Sequence, residues 1–338
     1  VRAAVWKGNN QFDVEEMDKP TIAPGGMLVQ VKACGICGSD LVKMRDGMVE
    51  PPAVLGHEVS GIIVELAPGE HHNLKVGDTV VVGHHAPCGI CHYCRHDSPS
   101  MCSQFKSTNI YPGGFAEYFA TGGEILAKAT FKHNISHELA AMTEPLACCL
   151  RSIRRCTVYP GDTAWVVGAG FIGLLMTQIL SRRGLAVVAT DLDERRLELA
   201  LEFGASSAFP ARSRKAVNAI MELSEGRGAD LIVQTAGSSS SYEGTFRYLR
   251  DGGIINVFSS VPKRDRLTVD LNQLYYRDVT VVGSYSPAPQ DMAEALRLIT
   301  TREIAVEPLI SHRVGLHQVG EAVAKIYRLD CLKAVVVV

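Results

Sequence analysis

The run from Thr163 to Leu180 constrains the fold of this chain more than any other segment. Thr163-Ala164-Trp165-Val166-Val167 reads as an apolar strand, and Gly168-Ala169-Gly170-Phe171-Ile172-Gly173 follows it directly and opens a helical pattern that continues to about Arg183. A bare Gly-x-Gly-x-x-Gly is a weak signal. Between a strand and a helix it marks a dinucleotide-binding unit. Gly168 serves the tight turn, Gly170 lets the backbone approach a pyrophosphate, and Gly173 lets helix and strand pack closely. The N–H groups at the helix start, around Phe171 and Ile172, are expected to meet phosphate oxygens. These 18 residues carry no charge and are long enough to be weighed as a membrane span. Three glycines and Gln178 interrupt them, so a buried strand-turn-helix is the better reading.

The surrounding sequence agrees. Apolar strands are expected at Ala164–Val167, Ala186–Thr190, Asp230–Gln234, Ile254–Phe258 and Val279–Val282, with helices near Asp193–Phe203 and Ser241–Leu249. Strands alternating with helices, most of them continuous apolar runs, imply a parallel sheet covered on both faces. Asp191 ends the second strand, 23 residues after Gly168, where a carboxylate accepts from both ribose hydroxyls of NAD and repels a 2′-phosphate. Asp193 is the better helix cap. Arg195 and Arg196 follow, so some tolerance of NADP stays open. Thr235, Ala236 and Gly237 end a later strand and are placed on the nicotinamide side.

The first 150 residues have a different texture. Short strands such as Met27–Lys32, Val59–Leu66 and Thr79–Val82 are separated by Gly and Pro, and no long helix is evident before about Ile135, with Ser136 as its cap. The tail reads as a helix at Asp291–Thr300, an extended Leu309–Val314, a helix at Val319–Leu329 and a last strand at Ala334–Val338. The expected class is α/β, with a mainly-β domain over 1–150 to which 286–338 return, and a doubly wound dinucleotide-binding domain over 151–285.

Four of the ten cysteines crowd between residues 88 and 102, which points to metal rather than to a disulfide framework. Cys88, Cys91, Cys94 and Cys102 fill all four positions of tetrahedral zinc and leave none for substrate, so the role is structural. His84, His85, His92 and His96 are read as bystanders. A second set is looser: Cys37, the pair His57-Glu58, and Glu144. One thiolate, one imidazole and one or two carboxylates make a mixed zinc shell with an open position for a substrate oxygen. Cys34, Cys148 and Cys149 are decoys that sequence cannot separate from Cys37. The net charge is −2, and the short basic stretch Arg212–Lys215 reads as a solvated loop, so neither nucleic acid nor a membrane is an expected partner. Val1-Arg2 runs straight into a strand pattern, with no leader expected. With the clustered thiols this suggests a reducing, cytoplasmic setting.

The pieces Gly35-Ile36-Cys37-Gly38-Ser39-Asp40, Gly56-His57-Glu58, the four-cysteine cluster, Gly114-Phe115-Ala116-Glu117-Tyr118, Glu144-Pro145-Leu146 and the Gly168 fingerprint occur in one order. In that order the chain resembles the zinc-containing medium-chain dehydrogenase/reductase family, and is most similar to its sorbitol (polyol) and L-threonine dehydrogenase branches. The resemblance implies a GroES-like catalytic domain beside a Rossmann NAD domain, one catalytic and one structural zinc, NAD, and a homodimer or homotetramer. It implies Cys37 and His57 as catalytic-zinc ligands, Glu144 as the third, Glu58 as a neighbouring or alternating ligand, Ser39 as the group that passes the alcohol proton, and Asp40 as the carboxylate orienting His57. It departs from the pattern at Val42, where the family commonly has a relay histidine. The implied activity interconverts a secondary alcohol, with a polyol or sugar alcohol preferred, and its ketone by hydride transfer. L-threonine, a polyol phosphate or a cyclitol stays open as substrate, as does a catalytically silent NAD-binding protein.

Overall fold

The computed structural model describes residues 1–69, 73–263, 266 and 268–338. The chain forms two compact units, Val1–Ala147 with Pro287–Val338, and Cys148–Ser286. The polypeptide leaves the first unit once and its last 52 residues come back to it, since Pro287 to Val338 spans 338 − 286 positions.

In the first unit a seven-stranded sheet runs in the order His312–Val314, Ala334–Val337, Met27–Gly35, Glu58–Leu66, Thr79–Val82 and Thr130–Lys132, with Tyr118–Thr121 also paired to Met27–Gly35. A smaller sheet joins Gln11–Glu16, Arg2–Gly8 and Ala53–Val54. Met27–Gly35 is central. It buries Met27, Val29, Val31 and Ala33 completely, and its antiparallel register sets Gly35 opposite Glu58 and Val335. Burial of the Met27, Val29 and Val31 side chains contributes about 1.5–3 kcal/mol each against exposure. That suffices to fix the register and, with it, the two residues at the strand's end.

The second unit is a six-stranded sheet in the order Ser207–Pro210, Ala186–Asp191, Thr163–Val167, Ala229–Gln234, Leu249–Val257 and Thr280–Gly283, with every pairing parallel. Numbered along the chain this is 3-2-1-4-5-6, the doubly wound order whose reversal lies between the first and fourth strands. The mainly-β and doubly wound architectures expected from the sequence are both present.

Several elements were not foreseen. The helix Gly38–Arg45 precedes Ile135. Its start is capped by the thiol of Cys37, which accepts from the Ser39 N–H, with Asp40 accepting in return from the Cys37 N–H. Thiols are not among the usual caps, so the start signal is silent. The third strand of the Rossmann unit, Ser207–Pro210, is short and half-exposed. The stretch Arg212–Lys215 is not a free loop, because Ser213 caps the helix Arg214–Leu223 and accepts from the Lys215 N–H. Leu309–Val314 is extended only from His312, after a short 3-10 turn at Glu307–Leu309. The helix expected to end at Leu249 stops at Phe246, and Leu249 starts a strand. No helix among the described residues is long and apolar enough to cross a membrane.

Candidate metal centres and nucleotide turn

The cysteine loop gathers four thiols whose sulfur atoms lie within 4.8 Å of one another. Cys91 and Cys94 Sγ are 3.5 Å apart, and Cys88 and Cys94 Sγ 3.9 Å. An ideal tetrahedron with zinc–sulfur bonds of 2.3 Å has edges of about 3.8 Å. Ile90 and Cys91 donate backbone N–H groups to Cys88 Sγ, and Cys88 to Cys102 Sγ, an arrangement that favours thiolate. Burial raises Cys102, yet the N–H groups of Cys88 and Phe105 outweigh it and bring the thiol down to about 6. Cys94 is pushed up to about 12 by burial and by the neighbouring thiols. Four sulfurs this close need a cation between them before all can ionise. The residues fit a structural zinc.

A second group consists of Cys37, His57 and Glu58, again with ligand atoms within 4.8 Å. Cys37 closes the turn after Met27–Gly35, and His57-Glu58 enter the neighbouring strand, so the pairing of these strands brings them together. His57 Nδ1 faces Asp40 Oδ1 at 3.2 Å in a buried pair. Donation from Nδ1 to that carboxylate leaves the Nε2 lone pair free, the tautomer that metal-ligating histidines use. Nε2 lies 3.3 Å from Ser39 Oγ, which is also 3.3 Å from Cys37 Sγ. Burial opposes charge on His57, but Asp40 and Cys37 override it and raise the ring well above its ordinary range. The negative field that does this suits a dication equally well. The donor set therefore fits a catalytic metal. Glu144 is buried in the first turn of the helix Thr143–Arg154, and its charge reaches Lys333, but it does not join the three-residue group. Of the decoys, Cys34 is fully buried and held as a neutral thiol, chiefly by burial.

At the nucleotide turn, Gly168 has φ +97°, and a Cβ there would come within 2.8 Å of Thr235 Oγ1. A Cβ on Gly173 would lie 1.8 Å from the Gly168 carbonyl oxygen, an approach no side chain survives. Above Gly170 the first atom met is Arg196 Nη1 at 3.9 Å, so a ligand can reach the backbone there. The helix Phe171–Arg182 has no side-chain cap on Gly170 and no acidic residue in its first turn, a start whose dipole suits an anion. Asp191 Oδ2 accepts from the Ala169 N–H at 2.7 Å and Oδ1 from the Asp193 N–H at 3.0 Å, with Arg196 Nη1 at 3.9 Å. Asp193 is the helix cap, as expected. Thr235 is committed to the turn itself, its hydroxyl lying 2.8 Å from the Gly168 carbonyl and 2.9 Å from that of Val167.

The sequence from 23 to 130 matches the family model described as alcohol dehydrogenase GroES-like domain, and 172–301 the one described as zinc-binding dehydrogenase. A sorbitol dehydrogenase of Halalkalibacterium halodurans is 30% identical, over 96% of this chain and 95% of that one. The chain belongs to the zinc-containing medium-chain dehydrogenase family. A D-arabinitol dehydrogenase of Uromyces fabae is 27% identical to this dehydrogenase over 99% and 96% of the two chains. The crystal structure of galactitol-1-phosphate dehydrogenase from Escherichia coli superposes with a TM-score of 0.87, at 27% identity and full coverage of both chains.

Two residues of the dehydrogenase's centre escaped the sequence reading. His84, set aside as a bystander of the cysteine cluster, packs its ring 4.7 Å from that of His57. Burial, then the neighbouring His57, His85 and Lys43, hold it well below the ordinary histidine range. Lys333 is buried against Glu58. No local pattern announces either one.

Proposed function

We propose that this zinc dehydrogenase oxidises a secondary alcohol of a polyol or sugar alcohol to the ketone with NAD+, and runs in reverse with NADH. The observation that carries the reading is His57 Nε2 lying 3.3 Å from Ser39 Oγ, which is itself 3.3 Å from Cys37 Sγ, with Nδ1 committed to Asp40. Cys37, His57 and Glu144 are the proposed ligands of a catalytic zinc, with Glu58 a reserve carboxylate. Cys88, Cys91, Cys94 and Cys102 are those of the structural one. Zinc at the first site supplies Lewis acidity that lowers the pKa of a substrate hydroxyl. Ser39 Oγ would accept the hydrogen bond of that hydroxyl and, as it takes up the proton, release its own to solvent water. Asp40 keeps the His57 ring oriented throughout. NAD+, when bound, would supply the hydride acceptor, a chemistry that is the cofactor's own.

NAD is assigned to the unit Cys148–Ser286, with its pyrophosphate at Gly168, Gly170, Phe171, Ile172 and Gly173. Asp191 takes the ribose hydroxyls with Arg196 beside it, and Thr235 lies on the nicotinamide side. Residues 1–150 with 286–338 are taken as the catalytic domain and 151–285 as the NAD domain. A homo-oligomer in a reducing cytoplasm completes the reading. It is supported by Val281, 52% exposed on the edge strand Thr280–Gly283, and by the exposed Tyr275 and Tyr276 beside it.

The test is NADH formation by zinc-replete protein over polyols, polyol phosphates, cyclitols, L-threonine and secondary alcohols, with NADP+ in parallel. A polyol standing well above the rest carries the reading. Preference for L-threonine or for a phosphate ester replaces the substrate class, and silence over the whole panel overturns the activity.

A further inference from the structure

Among the described residues, His84 is the one imidazole packed against His57 that the proposed mechanism leaves without a task. It follows the strand Thr79–Val82, and both sides of it are pinned. The Gly83 N–H donates to the Ala129 carbonyl at 2.7 Å, and the Ala86 N–H to Thr108 Oγ1 at 2.9 Å. Behind it, His85 bonds the Thr108 carbonyl through Nδ1 and rests on the buried Phe105 ring at 4.8 Å. The His84 ring then packs at a tilt against two neighbours, 4.1 Å from the ring of His85 and 4.7 Å from that of His57. This is the support a precise polar contact requires, a side chain held by neighbours that are themselves held.

Among the described residues neither nitrogen of His84 has a hydrogen-bond partner. Nor do they belong to the sealed, unpartnered polar atoms, which include Trp6 Nε1 and Thr143 Oγ1. The residue is half-buried rather than sealed in the interior. A polar group fixed this firmly, beside a metal ligand and with its hydrogen bonds unspent, is complete only when a ligand supplies them.

We infer that His84 is a specificity-determining residue that binds a second hydroxyl of the substrate, on the carbon next to the one being oxidised. The inference rests on the dehydrogenase reading above and narrows its substrate to vicinal diols and polyols. An uncharged imidazole carries one N–H donor and one lone pair, and a hydroxyl carries both as well, so either nitrogen can be satisfied. A carboxylate or phosphate ester accepts only and would use a single nitrogen. A substrate with no second hydroxyl leaves both nitrogens unmet while displacing their water, which costs transition-state binding.

The experiment compares butane-2,3-diol with butan-2-ol, both by kcat/KM with NAD+ and by dissociation constant for the zinc-loaded protein with NADH bound, read from NADH fluorescence. The expected result is a diol-to-mono-ol ratio that falls about tenfold in His84→Phe, mostly through KM, and returns towards wild type in His84→Gln, which keeps a donor and an acceptor. Zinc content, measured on each variant, identifies a protein that has lost its metal. In that event the His84→Gln variant and the wild-type ratio carry the test. A ratio that does not move in His84→Phe, or that fails to recover in His84→Gln, overturns the inference. A wild-type protein that turns over neither alcohol but binds the diol in preference sinks the dehydrogenase reading and keeps the hydroxyl subsite. Equal or absent binding of the two alcohols by wild type overturns the subsite itself.

Discussion

Lys333 Nζ lies 2.7 Å from Glu58 Oε1 and 2.5 Å from Oε2, in a pair whose side chains are 4% and 0% exposed. The same ammonium donates to the Ile36 carbonyl at 3.0 Å. The carboxylate fits only because Gly35 has no side chain, as a Cβ there would stand 1.8 Å from Glu58 Oε2. Two neighbouring strands thus supply the anion and the space beside it, and the residue just before the strand Ala334–Val337 supplies the cation. Burial opposes the charge on Lys333, and Glu58, followed by Cys37 and Glu144, restores it and raises its pKa.

Removing one partner of such a pair strands the other in a dry site. Lys333→Met is expected to cost about 3–5 kcal/mol, and the double variant with Glu58→Gln to recover most of that, because no charge is then left unpaired. Urea unfolding of zinc-replete protein measures both. A loss in the single variant of only about 1 kcal/mol, the size of an exposed pair, would contradict the burial argument.

The cysteine loop has little else to hold it. Ile90 is 72% exposed and Tyr93 51%. Cys94→Ser is therefore expected to reduce the zinc content from two per chain to one and to open residues 88–102 to limited proteolysis, while the remainder of the unit stays resistant. Unchanged metal analysis or an intact loop would show that the four sulfurs do not depend on an ion.

Gly173→Ala places a methyl against the Gly168 carbonyl, which is backbone and cannot step aside. The expected cost is about 1–3 kcal/mol, with NADH binding lost as the turn is displaced. Fluorescence titration with NADH reads the second effect, and wild-type affinity in the variant would refute the packing role of this glycine.

A histidine pair away from the metal ligands sets a pH dependence. Ser60 Oγ is 2.8 Å from His133 Nε2 and 2.8 Å from His137 Nδ1. His133 Nδ1 donates to the Ile135 carbonyl at 3.1 Å, which leaves neutral Nε2 an acceptor, and Ser60 Oγ also donates to the Val80 carbonyl at 3.1 Å, so its one proton is shared between the two. Burial, then His133 and Lys32, bring His137 down to about 4, and burial lowers His133 as well. An unfolded histidine titrates near about 6.5. Between the two values the unfolded chain binds more protons, so stability is complete above about 6.5 and declines as pH falls towards 4. His137→Gln should flatten the part of this slope between about pH 6.5 and 5, above the range of the carboxylates. Denaturant unfolding at three pH values tests it, and an unaltered slope would remove the pair as its source.

Much of the site could be read from the sequence where the requirement is local. The turn at Gly168–Gly173 needs a positive φ and two close approaches within six residues, and each leaves a glycine in the chain. The cysteine loop wraps its ion within 15 positions, 88 to 102, so spacing alone announces it. Cys37, His57 and Asp40 were legible through the order of short motifs rather than through any one of them. The strand Ser207–Pro210 was not, because a short, half-exposed edge strand ending in proline has no apolar run to mark it.

By itself the sequence determined the fold class, the glycine turn and the four-cysteine cluster, because backbone conformation and chelate spacing act between near neighbours. Only the tertiary structure decided that Lys333 meets Glu58 across 275 positions, and that His84 turns from the cysteine loop to the ring of His57. Those contacts follow from strand register. Register is set by the summed burial of many side chains over the whole sheet, and no short stretch of sequence records that sum.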